Sequence, residues 1–195
     1  GGPGGFNNVI WDVAAFKNDT GNHFVKLKYF SKDGEEGFPG NLTVFVTYTL
    51  SENNELIIDY EASCDKKTIV NLTHHSFFNL KDGGKSDVLD HVLKINADKY
   101  TPVNKELIPT GEMASVKQTP LDFTTPVAIG KRINDDFEQL RFGKGYDHNW
   151  VLNQGTDSLI FAAEVYEPVT GRKMDVYTTE PGIQFYSGNF LDKTD

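Results

Sequence analysis

Along most of the chain apolar and polar residues alternate one by one, the period of a strand with one buried face. His23 to Tyr29 is the first clear case, with Phe24, Leu27 and Tyr29 set among lysines. Leu42 to Leu50 is longer and rich in Val, Phe, Tyr and Thr, residues that suit a pleated surface. Polar Ser51-Glu52-Asn53-Asn54 follows, and Glu55 to Ala62 resumes the pattern, so the stretch reads as a hairpin. Thr68 to Leu72 and His91 to Ala97 predict two further strands. Leu159 to Tyr166 and Lys173 to Thr178 flank Glu167-Pro168-Val169-Thr170-Gly171-Arg172 and predict a second hairpin, with Ile183 to Tyr186 as a last strand. One segment breaks the rule. Ile129, Ile133, Phe137 and Leu140 draw a helical stripe, which predicts a short helix from about Pro126 to Leu140, with Gly143 just beyond. Many strands and one helix point to an all-β fold, a large antiparallel sandwich or barrel. With no repeat, low-complexity tract or linker, residues 1–195 read as a single domain.

Composition narrows the partners more than the fold. The 195 residues are 38% hydrophobic and 24% charged, ordinary for a globular protein with one real core. The formal net charge is -9, which repels nucleic acid and anionic membranes and is indifferent to an uncharged ligand. Cys64 is the single cysteine, so no intrachain disulfide forms. That suits a reducing compartment and sets the expectation of a cytoplasmic protein. Sequons occur at Asn18, Asn41 and Asn71. Two of them begin apolar, strand-like runs, which favours chance over glycosylation. No apolar run approaches a membrane span in length. The opening Gly1-Gly2-Pro3-Gly4-Gly5 reads as mid-protein, so a missing leader is uninformative.

Four clusters carry candidate chemistry. In Asp33-Gly34-Glu35-Glu36-Gly37-Phe38-Pro39-Gly40 the carboxylates suit a cation or an acid/base pair, but a solvated turn is the favoured reading, and the spacing is not that of an EF-hand. In Asn71-Leu72-Thr73-His74-His75-Ser76-Phe77-Phe78-Asn79-Leu80 adjacent histidines on a strand point to opposite faces, which disfavours a shared metal. One of them faces inward, suited to proton transfer near neutral pH or to a hydrogen-bonded core. Gly145-Tyr146-Asp147-His148-Asn149-Trp150 mixes acid, amide and aromatic groups as sugar sites do, and as many loops do. In the stretch from Thr178 to Asp192, Glu180 stands where a strand meets a Pro-Gly turn, either a site residue on a rigid scaffold or an exposed edge carboxylate. No nucleophile-elbow serine, phosphate-binding glycine loop or Cys/His metal spacing occurs.

Taken together and in order, these pieces resemble the aldose 1-epimerase (galactose mutarotase) family. Gly1 to Phe6 followed by Val9-Ile10-Trp11 is similar to the stretch after that family's LHGG motif, and DGEEGFPG, NLTHHSFFNL, YDHN and TTEPGIQFYSGNFLD are similar to its signatures. The resemblance covers essentially the whole chain and implies an incomplete galactose mutarotase-like supersandwich. It implies interconversion of the α and β anomers of free hexoses, galactose or glucose, by acid/base ring opening and closure, with no cofactor and no metal. It places the family's acid histidine on His75, with His74 where asparagine is usual. It places sugar contacts on Ser76, Phe77, Asp147 and Glu180, where Phe77 lacks the family's tyrosine hydroxyl. The family's base glutamate falls beyond Asp195, and a further histidine and arginine fall before Gly1, so these residues alone are expected to be nearly inactive. The alternatives are a sugar-binding module of the same fold, a glycoside hydrolase using Asp147 and Glu180, and a phosphosugar epimerase. The last is disfavoured by the scattered Arg132, Arg141 and Arg172.

Overall fold

A computed structural model describes residues 2–18, 20–153 and 158–191. Gly1 of the opening glycine run and Asp192 of the last motif lie outside them. The backbone forms two compact units, Gly1–Ser76 and Phe77–Asp195. Every ladder is antiparallel.

The first unit is a four-stranded meander: β1 (Asp12–Lys17), β2 (His23–Ser31), β3 (Leu42–Leu50) and β4 (Leu56–Cys64), in sequence order. The hairpin expected from Leu42 to Ala62 is present, with β3 and β4 paired from Leu42↔Cys64 to Leu50↔Leu56. Its turn closes through Ser51, whose hydroxyl donates to the Glu55 carboxylate at 2.7 Å, while Asn54 adopts φ 61°, a conformation asparagine tolerates better than most residues. Leu42, Val44 and Val46 are the buried residues of β3, every second position.

The strand expected at Thr68–Leu72 does not form; residues 67–79 have no regular secondary structure. Asp65 explains where the ladder stops. Its carboxylate accepts from the Asn41 amide N–H and from Nδ2, both at 2.7 Å, and Lys66 pairs with Asp33, so the chain turns off the sheet there. Among the described residues no strand lies beside Thr68–Leu72, and β-branched residues without a partner strand gain nothing from extension.

The second unit contains two four-stranded sheets. One has the order β11 (Lys173–Thr178), β10 (Ile160–Tyr166), β5 (Val92–Ile95), β8 (Val127–Ala128), and the other β12 (Gly182–Tyr186), β9 (Asp147–Val151), β6 (Lys99–Thr101), β7 (Ala114–Ser115). The second predicted hairpin is β10–β11. Both sheets feed one apolar cluster that includes Leu93, Ile95, Tyr100, Phe123, Tyr146, Trp150 and Ala162.

The helix expected over Pro126–Leu140 is corrected to three pieces: β8, a 3-10 turn at Ile129–Lys131, and α1 at Glu138–Gly143. The backbone of Ile129 and Gly130 bonds to His91 and Leu89 carbonyls, and the chain turns where the Asp135 and Phe137 N–H groups donate to the Arg132 and Asp135 carbonyls, in a run of poor helix formers. Ile129 and Leu140 are nonetheless buried, with Ile133 and Phe137 packed on the same cluster. The stripe marked the core side of an irregular segment.

Candidate functional site

The acidic loop is structural. The Asp33 carboxylate binds Lys66 and accepts the Gly40 N–H at 2.6 Å; together they hold its pKa below the carboxylate range. Glu35 accepts the Tyr29 hydroxyl at 2.5 Å, and Glu36 accepts the Gly4 N–H at 2.9 Å. All three acids are occupied, so the turn reading holds. Among the described residues no group of three or more His, Cys, Asp or Glu is placed to hold a metal.

Since residues 67–79 are not a strand, the opposite-face argument for the two histidines no longer applies. His74 is half-buried and packs edge-on against Tyr48, ring centroids 5.7 Å apart. Its Nε2 lies 2.9 Å from the Ser76 hydroxyl. His75 is exposed on the first unit rather than sunk in apolar surroundings. His74 is held by both of these neighbours.

In the second unit, β9 alternates. His148 and Trp150 point into the core, and Asp147, Asn149 and Val151 lie on the other face. β12 pairs with it so that Tyr186 opposes Asp147 and Gln184 opposes Asn149. Gln184 is therefore a diagonal, same-face neighbour of Asp147, and its Nε2 donates to Asp147 Oδ1 at 2.8 Å. Beside this pair stand three rings. Phe77 and Tyr186 have centroids 5.7 Å apart, and Tyr186 and Phe190 lie near parallel at 6.3 Å. The Tyr186 hydroxyl accepts the Phe190 N–H at 2.7 Å. Phe77 is 56% exposed and Phe190 46%, with Lys144 Nζ 5.4 Å from the centre of the Phe190 ring, so exposed aromatic surface lies beside a carboxylate and an amide.

The backbone leading into Asp147 is clamped from the Ser187-Gly188-Asn189 turn. Asn189 Nδ2 donates to the Gly143 and Tyr146 carbonyls at 2.9 and 2.8 Å, and Tyr146 N–H donates to the Ser187 hydroxyl at 3.1 Å. Gly145 must be glycine there: φ is 134°, and a Cβ would sit 2.4 Å from Asn189 Oδ1. From beneath, buried His148 accepts the Asp147 N–H on Nδ1 at 3.1 Å. Nδ1 is then the unprotonated nitrogen and Nε2 carries the hydrogen. Burial keeps the His148 pKa below the ordinary value, against the opposing pull of Asp147 and the Gln139 carbonyl, so the ring is neutral at pH 7.

Glu180 is exposed, in the turn before β12, its N–H donating to the Thr178 hydroxyl at 3.0 Å. Asp147 faces the last residue of β12, so the length of that strand, about 13 Å at the usual rise, separates the two ends. The structure joins Asp147 to Gln184 and Tyr186, sets Phe77 against Tyr186, and puts Glu180 at the opposite end of β12. Gln184 escaped the sequence reading. Its only sequence signal was being the one polar side chain in Ile183-Gln184-Phe185, and its importance depends on the β9–β12 register.

A clamped carboxylate, an amide and aromatic rings thus lie together at the edge of an antiparallel sheet. The aldose 1-epimerase family model matches residues 3–195, and the chain belongs to that family. It is 45% identical to the galactose mutarotase of Homo sapiens and 41% identical to the aldose 1-epimerase of Escherichia coli, each over its whole length. It spans about half the length of these curated relatives, 53% and 54%. Among solved structures, the galactose 1-epimerase of Lactobacillus acidophilus superposes on 96% of the chain with a TM-score of 0.85 at 33% identity, and an aldose epimerase homologue of C. elegans on 93% with 0.78 at 28%. They cover 53% and 52% of those chains. The fold is accordingly galactose mutarotase-like, all-β with one short α-helix among the described residues.

Proposed function

We propose that the protein containing this chain interconverts the α and β anomers of free hexoses, galactose or glucose, without a cofactor. His75 delivers a proton to the ring oxygen while a base removes the proton from the C1 hydroxyl. The ring opens, the C1 aldehyde turns its other face, and closure reverses both transfers. The base is a glutamate outside these 195 residues, so the segment alone has the acid without its partner. Ser76, Phe77, Asp147 and Glu180 contact the sugar. The two units are portions of one longer domain, and the single Cys64 suits a cytoplasmic setting.

The observation that carries this reading is Asp147, held by Gln184 beside the Phe77–Tyr186 rings. A pyranose presents hydroxyls around its rim and C–H faces above and below, and this surface offers an acceptor, a donor and ring faces together. Family membership and the names of the relatives support the same chemistry. The hydrolase alternative needs two carboxyls about 5–9.5 Å apart, and the length of β12 between Asp147 and Glu180 works against it.

Polarimetry of freshly dissolved α-D-galactose tests the proposal. In the intact protein, His75→Asn is expected to slow mutarotation about 10²–10⁴-fold while galactose still binds. An unchanged rate refutes the assignment. The 195 residues by themselves are expected to leave rotation near its spontaneous rate.

A further inference from the structure

We infer that His91 and the turn from Glu167 to Arg172 form a clasp on Leu80 that positions Phe77 against Tyr186. The inference rests on the proposed function only for what Phe77 touches.

Phe77 belongs to a stretch with no strand or helix to fix it, yet its ring meets Tyr186 at 5.7 Å. Backbone bonds converge three residues later. Leu80 N–H donates to His91 Nε2 at 3.1 Å. Leu80 C=O accepts from the Thr170 hydroxyl at 3.3 Å and from Arg172 Nη1 at 3.0 Å, and the same nitrogen reaches the Lys81 carbonyl at 3.2 Å. Asn79 braces the approach, donating to the Ser86 carbonyl at 2.7 Å and accepting the Lys81 N–H at 2.9 Å. Both polar groups of one backbone unit are thus gripped, one by a strand-edge histidine and the other by a turn some ninety residues away.

The clasp is itself built from buried polar groups. His91 is 1% exposed. Because Nε2 accepts, Nδ1 carries the proton, and Nδ1 has no hydrogen-bond partner. Glu167 is 0% exposed. Its carboxylate holds the turn by accepting the Val169 N–H at 3.1 Å and the Thr170 N–H at 2.7 Å. Burial pushes its pKa up, but the Thr170 and Val169 bonds outweigh that and keep it below the usual range. A buried imidazole left half-satisfied is costly, and a leucine would pack the same space without that cost. Holding the Leu80 amide is what the histidine supplies. The clasp also gives Arg172 a use: it grips backbone carbonyls rather than any anion.

Arg172 and Thr170 are exposed, so Arg172→Met combined with Thr170→Val tests the clasp without opening the core. By NMR of the intact protein, the Phe77 ring signals are expected to move toward those of free phenylalanine. The Leu80 amide should exchange roughly tenfold faster, with the Trp150 indole signal unmoved. Arg172→Lys, which keeps a donor, restores part of the protection, and His91→Gln preserves more of it than His91→Leu. Phe77 and Leu80 signals that coincide with the parent in the double variant overturn the inference. In the intact protein the double variant is expected to raise KM for galactose roughly tenfold with kcat within about twofold. If Phe77 moves but KM does not, the clasp stands and the sugar role of Phe77 falls.

Discussion

In the first unit each strand pairs with the next in sequence, β1 to β4 in order, and the buried residues of β3 are only Leu42, Val44 and Val46. In the second, beside sequential pairs such as β10 and β11, several neighbours come from distant parts of the chain, β12 beside β9 and β10 beside β5, over a large cluster that includes Tyr100, Phe123, Tyr146 and Trp150. The contrast extends to the candidate site. His75 sits in an irregular stretch whose nearest fixed points are local, the His74 contacts with Tyr48 and Ser76. Asp147 stands at the start of a strand whose inward residues are core, held by its neighbour His148 and by the sequence-remote Gln184, with Asn189 gripping the preceding Tyr146 carbonyl. Local ladders form early and cheaply, whereas non-local ones wait for collapse. A group that must hold a sugar hydroxyl in one place benefits from the second kind of support.

The largest expected effect breaks or confirms that contrast directly. Trp150 is fully buried, and its Nε1 donates to the Leu121 carbonyl at 3.0 Å. Trp150→Ala is expected to cost about 3–5 kcal/mol in urea denaturation. Val44→Ala in the first unit should cost about 1.5–2 kcal/mol, the value of two lost methyl-sized groups. Equal losses would show that the two units do not differ in how they are held.

Acid separates them more sharply. Below its ordinary value of 6.5 an unfolded His148 binds a proton that the buried one resists. The stability from keeping it neutral is present above pH 6.5 and lost as pH falls below it. In the first unit the groups shifted in the acid range are carboxyls. Asp33 is lowered by Lys66 and the Gly40 amide, Glu35 by Ser31 and Tyr29, and Asp65 by the Asn41 side chain and amide. Their contribution is present above ordinary values of 3.8 to 4.5 and lost as pH falls below them, through the lowered values of the folded state. Asp82 and Glu167 add to that lower window in the second unit. From pH 7 to 5, urea midpoints followed by Trp150 in a Trp11→Phe variant are expected to fall, and His148→Gln to flatten the slope. A Trp150 midpoint that first drops near pH 4 means that burial of His148 is not what the second unit depends on.

Much of this was legible beforehand, for definite reasons. Leu42–Leu50 and Lys173–Thr178 were readable to the residue because alternation and polar turn residues agreed. The stripe from Ile129 to Leu140 misled because a core-facing irregular segment, stopped by Gly130 and Asn134-Asp135-Asp136, shows the same spacing as a helix. Thr68–Leu72 misled because β-branched residues signal extension but do not say whether a partner strand exists. Asp147 could be placed by motif, and Gln184 could not, since its contact with Asp147 arises only when two strands more than thirty residues apart pair in one register. The same holds for the clasp on Leu80, whose partners are named by no local pattern.

The smallest expected effect sharpens the comparison from the side of the ligand. Removing Asp147 as Asp147→Ala takes away a charged acceptor, and galactose affinity in the intact protein should fall by roughly 1.5–3 kcal/mol. Gln184→Leu, which only frees that carboxylate, should cost about 0.5–1.5 kcal/mol. Phe77→Tyr works in the other direction. Its ring is already placed against Tyr186 and open to solvent, so a hydroxyl at the ring edge meets the sugar without new packing, and the gain is one neutral hydrogen bond, about 1 kcal/mol. Because the ring's position is fixed by the clasp rather than by a ladder, that gain should disappear when Phe77→Tyr is combined with Arg172→Met. Calorimetric titration with galactose reads both. A gain that survives the second substitution means that Phe77 is held by something other than Leu80.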